Sequence, residues 1–380
     1  MSEKIRILQC VTAMDRGGLE TVIMNYYRNI NHDRFVFDFL TQRKGKFEYS
    51  DEIIKMGGKI YSVPAFNPLK IRKYNFEMER FFEEHSTDYD IIHAHNNSFA
   101  LYVLRAAKKA GYNVRISHSH IADTKFNLVR SFFVRYNKMN LKYFCNVRFA
   151  CSEKAGRWLF GDEKFTVIKN AIDLDRFAFN EKMREEYRLK YGISSDTILL
   201  GHIGRFEEQK NHVFLVKLIK DLKNKGVNAK LMLIGVGALE SKIKKIVDNN
   251  NLRGDVIFVG SVNNPNDYLN AMDIFVFPSH FEGLGMAVIE AQANGLRCIV
   301  AENVVGECEV TPLVKFLPIA DNDIDMWSKQ IMRDARVPRG CYRGDLVKAG
   351  YDIKGAAKRL ERIYEELVSV NDLDNWHEEV

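Results

Sequence analysis

No stretch of the sequence is apolar for long enough to span a bilayer, so a helical membrane protein is not expected. The opening residues Met1-Ser2-Glu3-Lys4 run directly into a strand-like segment without the apolar core of a signal peptide, and the chain reads as cytoplasmic. Cysteine is scarce and unpaired in pattern. Cys10, Cys145, Cys151, Cys298, Cys308 and Cys341 form no C-x-x-C spacing and sit mostly in apolar surroundings, which points to buried free thiols and away from disulfides or zinc. Tandem repeats and low-complexity tracts are missing, as are helix-turn-helix, zinc-finger and RNP patterns, so nucleic acid is not an expected partner. What is present excludes disorder: 46% of residues are hydrophobic and 12% aromatic, in a chain of 380 residues that can hold two separately cored domains. Its net charge of +6 is uneven. Residues 1–175 carry 28 Lys and Arg against 20 Asp and Glu, whereas the remainder carries 28 against 30.

Strand-like runs alternate with helical stretches in two series. The first comprises Ile5–Val11, Phe35–Leu40, Lys59–Val63, Tyr89–His95 and Val114–His120; the second comprises Ile198–Gly204, Lys230–Ile234, Val256–Val259, Asp273–Phe277 and Arg297–Val300. This order predicts two doubly wound, mostly parallel α/β domains. A join near Asn170–Phe177 gives a first domain over 1–172, a second over 173–354, and a helix and tail over 355–380.

The most informative stretch is Phe281-Glu282-Gly283-Leu284-Gly285-Met286, which follows the strand at Asp273–Phe277 and opens a helix ending near Gly295. Gly283 and Gly285 allow close backbone approach, and the first amides of the helix suit a phosphate. Glu282 and Glu290, eight apart, accept hydrogen bonds from hydroxyls, so the pattern suggests a ligand with sugar hydroxyls on either side of a diphosphate. Taken singly, each glutamate is more simply a cap or a solvated side chain. Arg205 and Lys210 follow Gly204 at the end of another strand, where a guanidinium fork and an ammonium can offset charge on a leaving phosphate. Near the start, Asp15-Arg16-Gly17-Gly18 forms a turn at the carboxyl end of the first strand, where open α/β sheets bind ligands. His118 and His120 close a strand and are read as pointing to opposite faces, one of them toward a cleft. His93 and His95 carry the same ambiguity, and a satisfied core histidine is the alternative for each.

These segments resemble the retaining glycosyltransferases of family 4. The resemblance rests on Glu282 and Glu290 in an E-x7-E arrangement between Pro278-Ser279 and Ala291-Gln292-Ala293-Asn294-Gly295. It extends to Gly204-Arg205-Phe206-Glu207-Glu208-Gln209-Lys210-Asn211 and Arg16-Gly17-Gly18-Leu19-Glu20, over about Ile5 to Leu367. Its nearest flavour is that of bacterial capsule and exopolysaccharide transferases. The resemblance implies the GT-B fold and transfer of a sugar from a nucleotide diphosphate sugar, UDP-linked above all, to a glycan or lipid-linked acceptor. By the same resemblance Arg205, Lys210, Glu282 and His120 are catalytic. Gly17, Gly18, Gly204, Gly235, Gly237, Gly283, Leu284, Gly285, Met286, Glu290 and His95 would then line the substrates, with Glu290 on the ribose hydroxyls, and the C-terminal helix would pack onto the first domain. Front-face attack needs no carboxylate nucleophile, and Arg205, Lys210 and helix amides stand in for a metal; no cofactor is expected. Asp88–Asp90, Asp173–Asp175, Asp323–Asp325 and Asp372–Asp374 are read as chance triplets, and Glu240 breaks the dinucleotide fingerprint begun at Gly235-Val236-Gly237. Ala171 replaces the glycine usual in the family's linker. A nucleotide-sugar epimerase and a non-catalytic nucleotide-sugar binder are the rival functions.

From Lys125 to Phe149 lie six basic residues, Lys125, Arg130, Arg135, Lys138, Lys142 and Arg148, and no acidic one, interleaved with Phe126, Leu128, Phe132, Phe133, Tyr136, Leu141, Tyr143 and Phe144. Such a helix can lie on an anionic membrane, where lipid-linked acceptors are found, or can simply turn a basic face to solvent while packing on the domain.

Overall fold

Near-continuous buried runs set the first sheet. In the computed structural model, which describes residues 4–120, 128–304, 306–370, 373 and 376, seven parallel strands take the order β3-β2-β1-β4-β5-β6-β7. They are β1 (Ile5–Val11), β2 (Phe35–Thr41), β3 (Ile60–Ser62), β4 (Ile91–Ala94), β5 (Val114–Ser119), β6 (Val147–Ala150) and β7 (Thr166–Val167). Strand pleating sends Ile7 and Val11 of β1 to one core and Leu8 and Cys10 to the other, so both faces are covered. The helices Gly18–Asn29 and Ile353–Ser369 cover the first face, Ile71–Glu84 and Ala100–Lys109 the second. Asp352 caps the helix Ile353–Ser369 through the Gly355 amide. This helix buries Leu360, Ile363, Tyr364 and Leu367 within the first unit, which comprises Met1–Ile172 and Asp352–Val380.

The second unit, Asp173–Tyr351, holds six parallel strands in the order β10-β9-β8-β11-β12-β13. These are β8 (Ile198–Ile203), β9 (Ala229–Ile234), β10 (Val256–Gly260), β11 (Ile274–Phe277), β12 (Arg297–Ala301) and β13 (Val314–Leu317). Its core packs Leu200, Leu231, Leu233, Val276 and Ile299 against Phe214, Leu218 and Trp327 of covering helices. Both sheets reverse their winding beside their first strand, between β1 and β4 and between β8 and β11. In each sheet the loops leaving these strands lie at their carboxyl ends, where open α/β sheets bind ligands.

Several expectations change. β6, β7 and β13 add strands that the sequence pattern did not separate from their surroundings. The basic segment is not one helix: it is helical over Leu128–Leu141, Lys142 and Tyr143 lie in the following turn, and Arg148 is on β6. Lys125, Phe126, the side chain of Leu128, Asp372 and Asp374 lie outside the described residues. Ala171 fits without strain, since it does not have the positive φ that would call for glycine. Five of the cysteines are buried free thiols, and Cys341 is exposed.

Candidate active site

In the second unit, the loops after β8 and β11 are joined at the switch point by three hydrogen bonds. The His280 amide donates to the Gln209 carbonyl at 2.9 Å, the Gln209 side-chain amide donates to the Phe281 carbonyl at 2.8 Å, and Lys210 Nζ meets Glu282 Oε1 at 2.7 Å. Lys210 Nζ also lies 4.8 Å from the centre of the Phe277 ring, so the ammonium is held by a carboxylate and a π face together. The Lys210 and Glu282 side chains are 17% and 9% exposed, which makes this pair stiff as well as reachable. Arg205 differs. Its side chain is 76% exposed and pairs with Glu207 at 3.2 Å, leaving most of its fork open to solvent.

Glycine is required at two positions beside this pair. A Cβ on Gly235, whose φ is +137°, would stand 2.2 Å from the Gly204 carbonyl oxygen, and one on Gly237 would stand 2.6 Å from the Phe206 backbone. These residues therefore let the loop after β9 support Gly204–Phe206, and the structure gives them a packing role. Gly285 has φ +76° and ψ +50° and precedes the helix Met286–Ala293, whose N-terminus has no side-chain cap. Gly283, Leu284 and Met286 lie in the same turn, with Leu284 buried. Glu290 sits one helical turn in from that end. Burial pushes its carboxyl up to about 7, against the opposing charge of Arg176.

In the first unit, Gly17 and Gly18 occupy the turn from β1 into the helix Gly18–Asn29. A Cβ on Gly17 would collide with the Glu20 carboxylate, whereas one on Gly18 would meet nothing within 4 Å. The histidines form a single array, not two outward-facing pairs. Residues two apart in a strand share a face, so His118 and His120 cannot point opposite ways. Their ring centres are 4.0 Å apart, and those of His93 and His95 are 4.2 Å apart. His93 Nε2 pairs with His118 Nδ1 at 3.1 Å, and His95 Nδ1 with His120 Nε2 at 2.8 Å. His95 is buried, and its other nitrogen faces Gln9 Oε1 at 2.7 Å, so it offers no polar atom to a substrate; His120 is half-buried.

Gln9, Gln209, Phe277 and Tyr364 were not anticipated. A signal existed for the first: Gln9 lies on the pleat face of Ile7 and Val11 and is registered beside His93. As for metals, His93, His95 and His118 bring ligand nitrogens within 4.8 Å of one another. Both nitrogens of His93 and of His95 are already hydrogen-bonded, which favours a hydrogen-bonded array over a metal centre. Among the Asp-x-Asp triplets, Asp173 caps the helix Leu174–Phe177 and Asp90 accepts the Arg6 amide.

Residues 16–176 match the family described as Glycosyltransferase Family 4, and residues 183–333 match that described as Glycosyl transferases group 1. A protein of Bacillus subtilis (strain 168) named as a glycosyltransferase, EpsF, is 34% identical over 378 residues, covering 96% of this chain and 97% of its own. The capsular polysaccharide biosynthesis glycosyltransferase CapH of Staphylococcus aureus is 26% identical, covering 82% and 85%. Among solved structures, Anabaena HepE in complex with UDP superposes with a TM-score of 0.76 at 15% identity, covering 95% of this chain and all of that one.

Proposed function

The chain belongs to the glycosyltransferases of family 4 and has their GT-B fold, and on that premise we propose that it moves a sugar from a UDP-sugar to a glycan or lipid-linked acceptor, with retention of configuration and without a metal, in surface polysaccharide assembly. One observation carries the reading: at the β8/β11 switch point a reachable Lys210–Glu282 pair, the open fork of Arg205 and the uncapped turn Gly283–Met286 converge on loops tied to each other. Cations and free amides suit a diphosphate, and carboxylates suit hydroxyls at its ends. The bond from the sugar anomeric carbon to the phosphate oxygen breaks as the acceptor hydroxyl attaches on the same face. Its proton passes to the departing phosphate. Lys210 and Arg205 offset the charge that builds there, Glu282 orients the sugar, and Glu290 in its ionised form accepts from the ribose hydroxyls. Gly18 lets the β1 turn approach a diphosphate without a side chain in the way, and His120 meets a hydroxyl of the transferred sugar. HepE is a relative in fold that was solved with UDP, and CapH is a relative named for capsule synthesis; both support this choice of donor and pathway.

The acceptor is best matched to a membrane surface by the helix Leu128–Leu141 and its turn. Phe132, Tyr136, Met139 and Tyr143 follow helical spacing and are 69%, 51%, 64% and 59% exposed, beside Arg135 and Lys142. No helix among the described residues is long and apolar enough to cross a membrane, so contact would be peripheral. The test is incubation of the purified protein with a panel of UDP-sugars and a lipid-linked acceptor, with and without a chelator. A new glycoside whose anomeric configuration matches the donor, formed equally with chelator present, is expected. Epimerisation of a donor incubated alone, or an inverted linkage, would overturn the reading.

A further inference from the structure

The histidine array in the first unit has a direction. Tyr364, fully buried on the helix Ile353–Ser369, and Gln9, buried on β1, sit at its base. Gln9 turns its amide nitrogen toward Tyr364 Oη at 3.5 Å and its carbonyl oxygen toward His95 Nε2 at 2.7 Å. A carbonyl oxygen only accepts, so with the Gln9 amide in this orientation His95 carries its proton on Nε2. A neutral imidazole then has a bare Nδ1. That nitrogen accepts from His120 Nε2, 2.8 Å away, which places the His120 proton on Nε2 in turn. On the other arm, Tyr364 Oη lies 2.8 Å from His93 Nδ1, and His93 Nε2 lies 3.1 Å from His118 Nδ1. His93 stacks on His95, and His118 lies against His120 with the rings tilted by 33°, so the two arms hold each other's ring planes.

We infer that Gln9, acting through His95, is a positioning residue that locks His120 as its Nε2–H tautomer, so that His120 presents a bare Nδ1 to the substrate as a hydrogen-bond acceptor. No hydrogen bond reaches that Nδ1 among the described residues, while Asn97 Oδ1 accepts the His120 amide at 2.9 Å and holds the backbone. Three consequences separate this role from a charge-bearing histidine. First, burial lowers the His120 pKa to about 3 and those of His93, His95 and His118 well below their ordinary value, so all four rings stay neutral near pH 7. His120 therefore neither protonates the leaving group nor lends it positive charge. Second, it recognises a group that donates, such as a sugar hydroxyl, and disfavours a deoxy or O-methyl analogue at that position. Third, a residue of the C-terminal helix orients the Gln9 amide, so a contact far along the chain reaches the site through two side chains.

The assignment of a hydroxyl as the partner rests on the proposed sugar transfer; the tautomer does not. The test is ¹⁵N-correlated NMR of the imidazoles in the full chain with labelled histidine, read from pH 5 to 8. Expected are neutral Nε2–H signals for His95 and His120 throughout. Gln9→Met should release His120 into a mixture of tautomers, and Gln9→Glu, which keeps an acceptor facing His95, should restore Nε2–H even if Gln9→Met is poorly folded. Transfer by Gln9→Met should fall about tenfold, the loss of one hydrogen bond's worth of orientation, and Gln9→Glu should recover part of it. An Nδ1–H or imidazolium signal for His120 in the unaltered protein would overturn the inference. If instead the tautomers are as stated but His120→Ala transfers sugar normally, the positioning stands and the substrate role of His120 falls.

Discussion

Replacing Lys210 with methionine tests whether the Lys210–Glu282 pair serves chemistry or only folding. The variant keeps an unbranched apolar chain but takes the ammonium from both the Phe277 ring and the Glu282 carboxylate, which is 9% exposed and is left without its cation. Breaking a largely buried pair from one side costs about 3 kcal/mol, chiefly because the remaining charge is stranded. For a unit of this size each kcal/mol moves the melting temperature by roughly 2–4 °C, so the variant should melt about 6–12 °C lower. Adding Glu282→Gln removes the stranded charge. The double variant should therefore regain most of that loss, a coupling that a double-mutant cycle reads directly. Transfer should behave otherwise. If Lys210 offsets charge on the departing phosphate, both the single and the double variant should be slower by about 10²–10³-fold, the usual scale for removing one such group. The assay is product formation at saturating donor, alongside thermal melts at fixed pH. A double variant that is both stable and active would refute the catalytic role and leave a structural ion pair.

Donor affinity should rise with pH through about 7, because only the ionised Glu290 accepts hydroxyl hydrogen bonds fully and burial holds its pKa near that value. The sign for stability is opposite: the folded-state pKa lies above the ordinary 4.5, so this group's stabilisation is complete below about 4.5 and is lost as pH climbs to about 7. Glu290→Gln should flatten both dependences, seen by calorimetric titration with UDP and by melting from pH 5 to 8; an unchanged binding profile would remove Glu290 from the site. Gly235→Ala should cost about 2 kcal/mol or more, since its Cβ meets the Gly204 oxygen at a left-handed φ. Gly18→Ala meets nothing and should melt normally while binding UDP-sugar at least tenfold more weakly; equal affinity would show that no ligand approaches that turn. Flotation with anionic liposomes at low salt should carry the protein upward, and Phe132→Ser with Met139→Ser should abolish it; failure of the unaltered chain to float would end the membrane reading.

Local chemistry made much of this legible. Gly17-Gly18, Gly204 and Gly283-Leu284-Gly285 each mark a sharp exit from a parallel strand, and strand-to-helix alternation carried the two-sheet fold. Glu282 and Lys210 could be named from motif spacing, but not their mutual bond, because 72 residues separate them and only the adjacency of β8 and β11 closes that distance. The two-residue β7 is too brief to show a period, and β6 follows a basic aromatic segment whose helical pattern masks its start. The histidines were misread through strand parity: the two-residue repeat that sorts Ile7 from Leu8 into separate cores also places His118 and His120 side by side. Tyr364 gives no local sign of its role, since its partners Gln9 and His93 lie 355 and 271 residues earlier.

A crystal structure of the chain with UDP bound would show whether the loops after β8 and β11 hold the nucleotide. The diphosphate is expected within hydrogen-bond distance of Arg205, Lys210 and the amides of Gly283 to Met286, with the ribose hydroxyls on Glu290. UDP seated elsewhere, with those groups still turned to solvent or to one another, would contradict it.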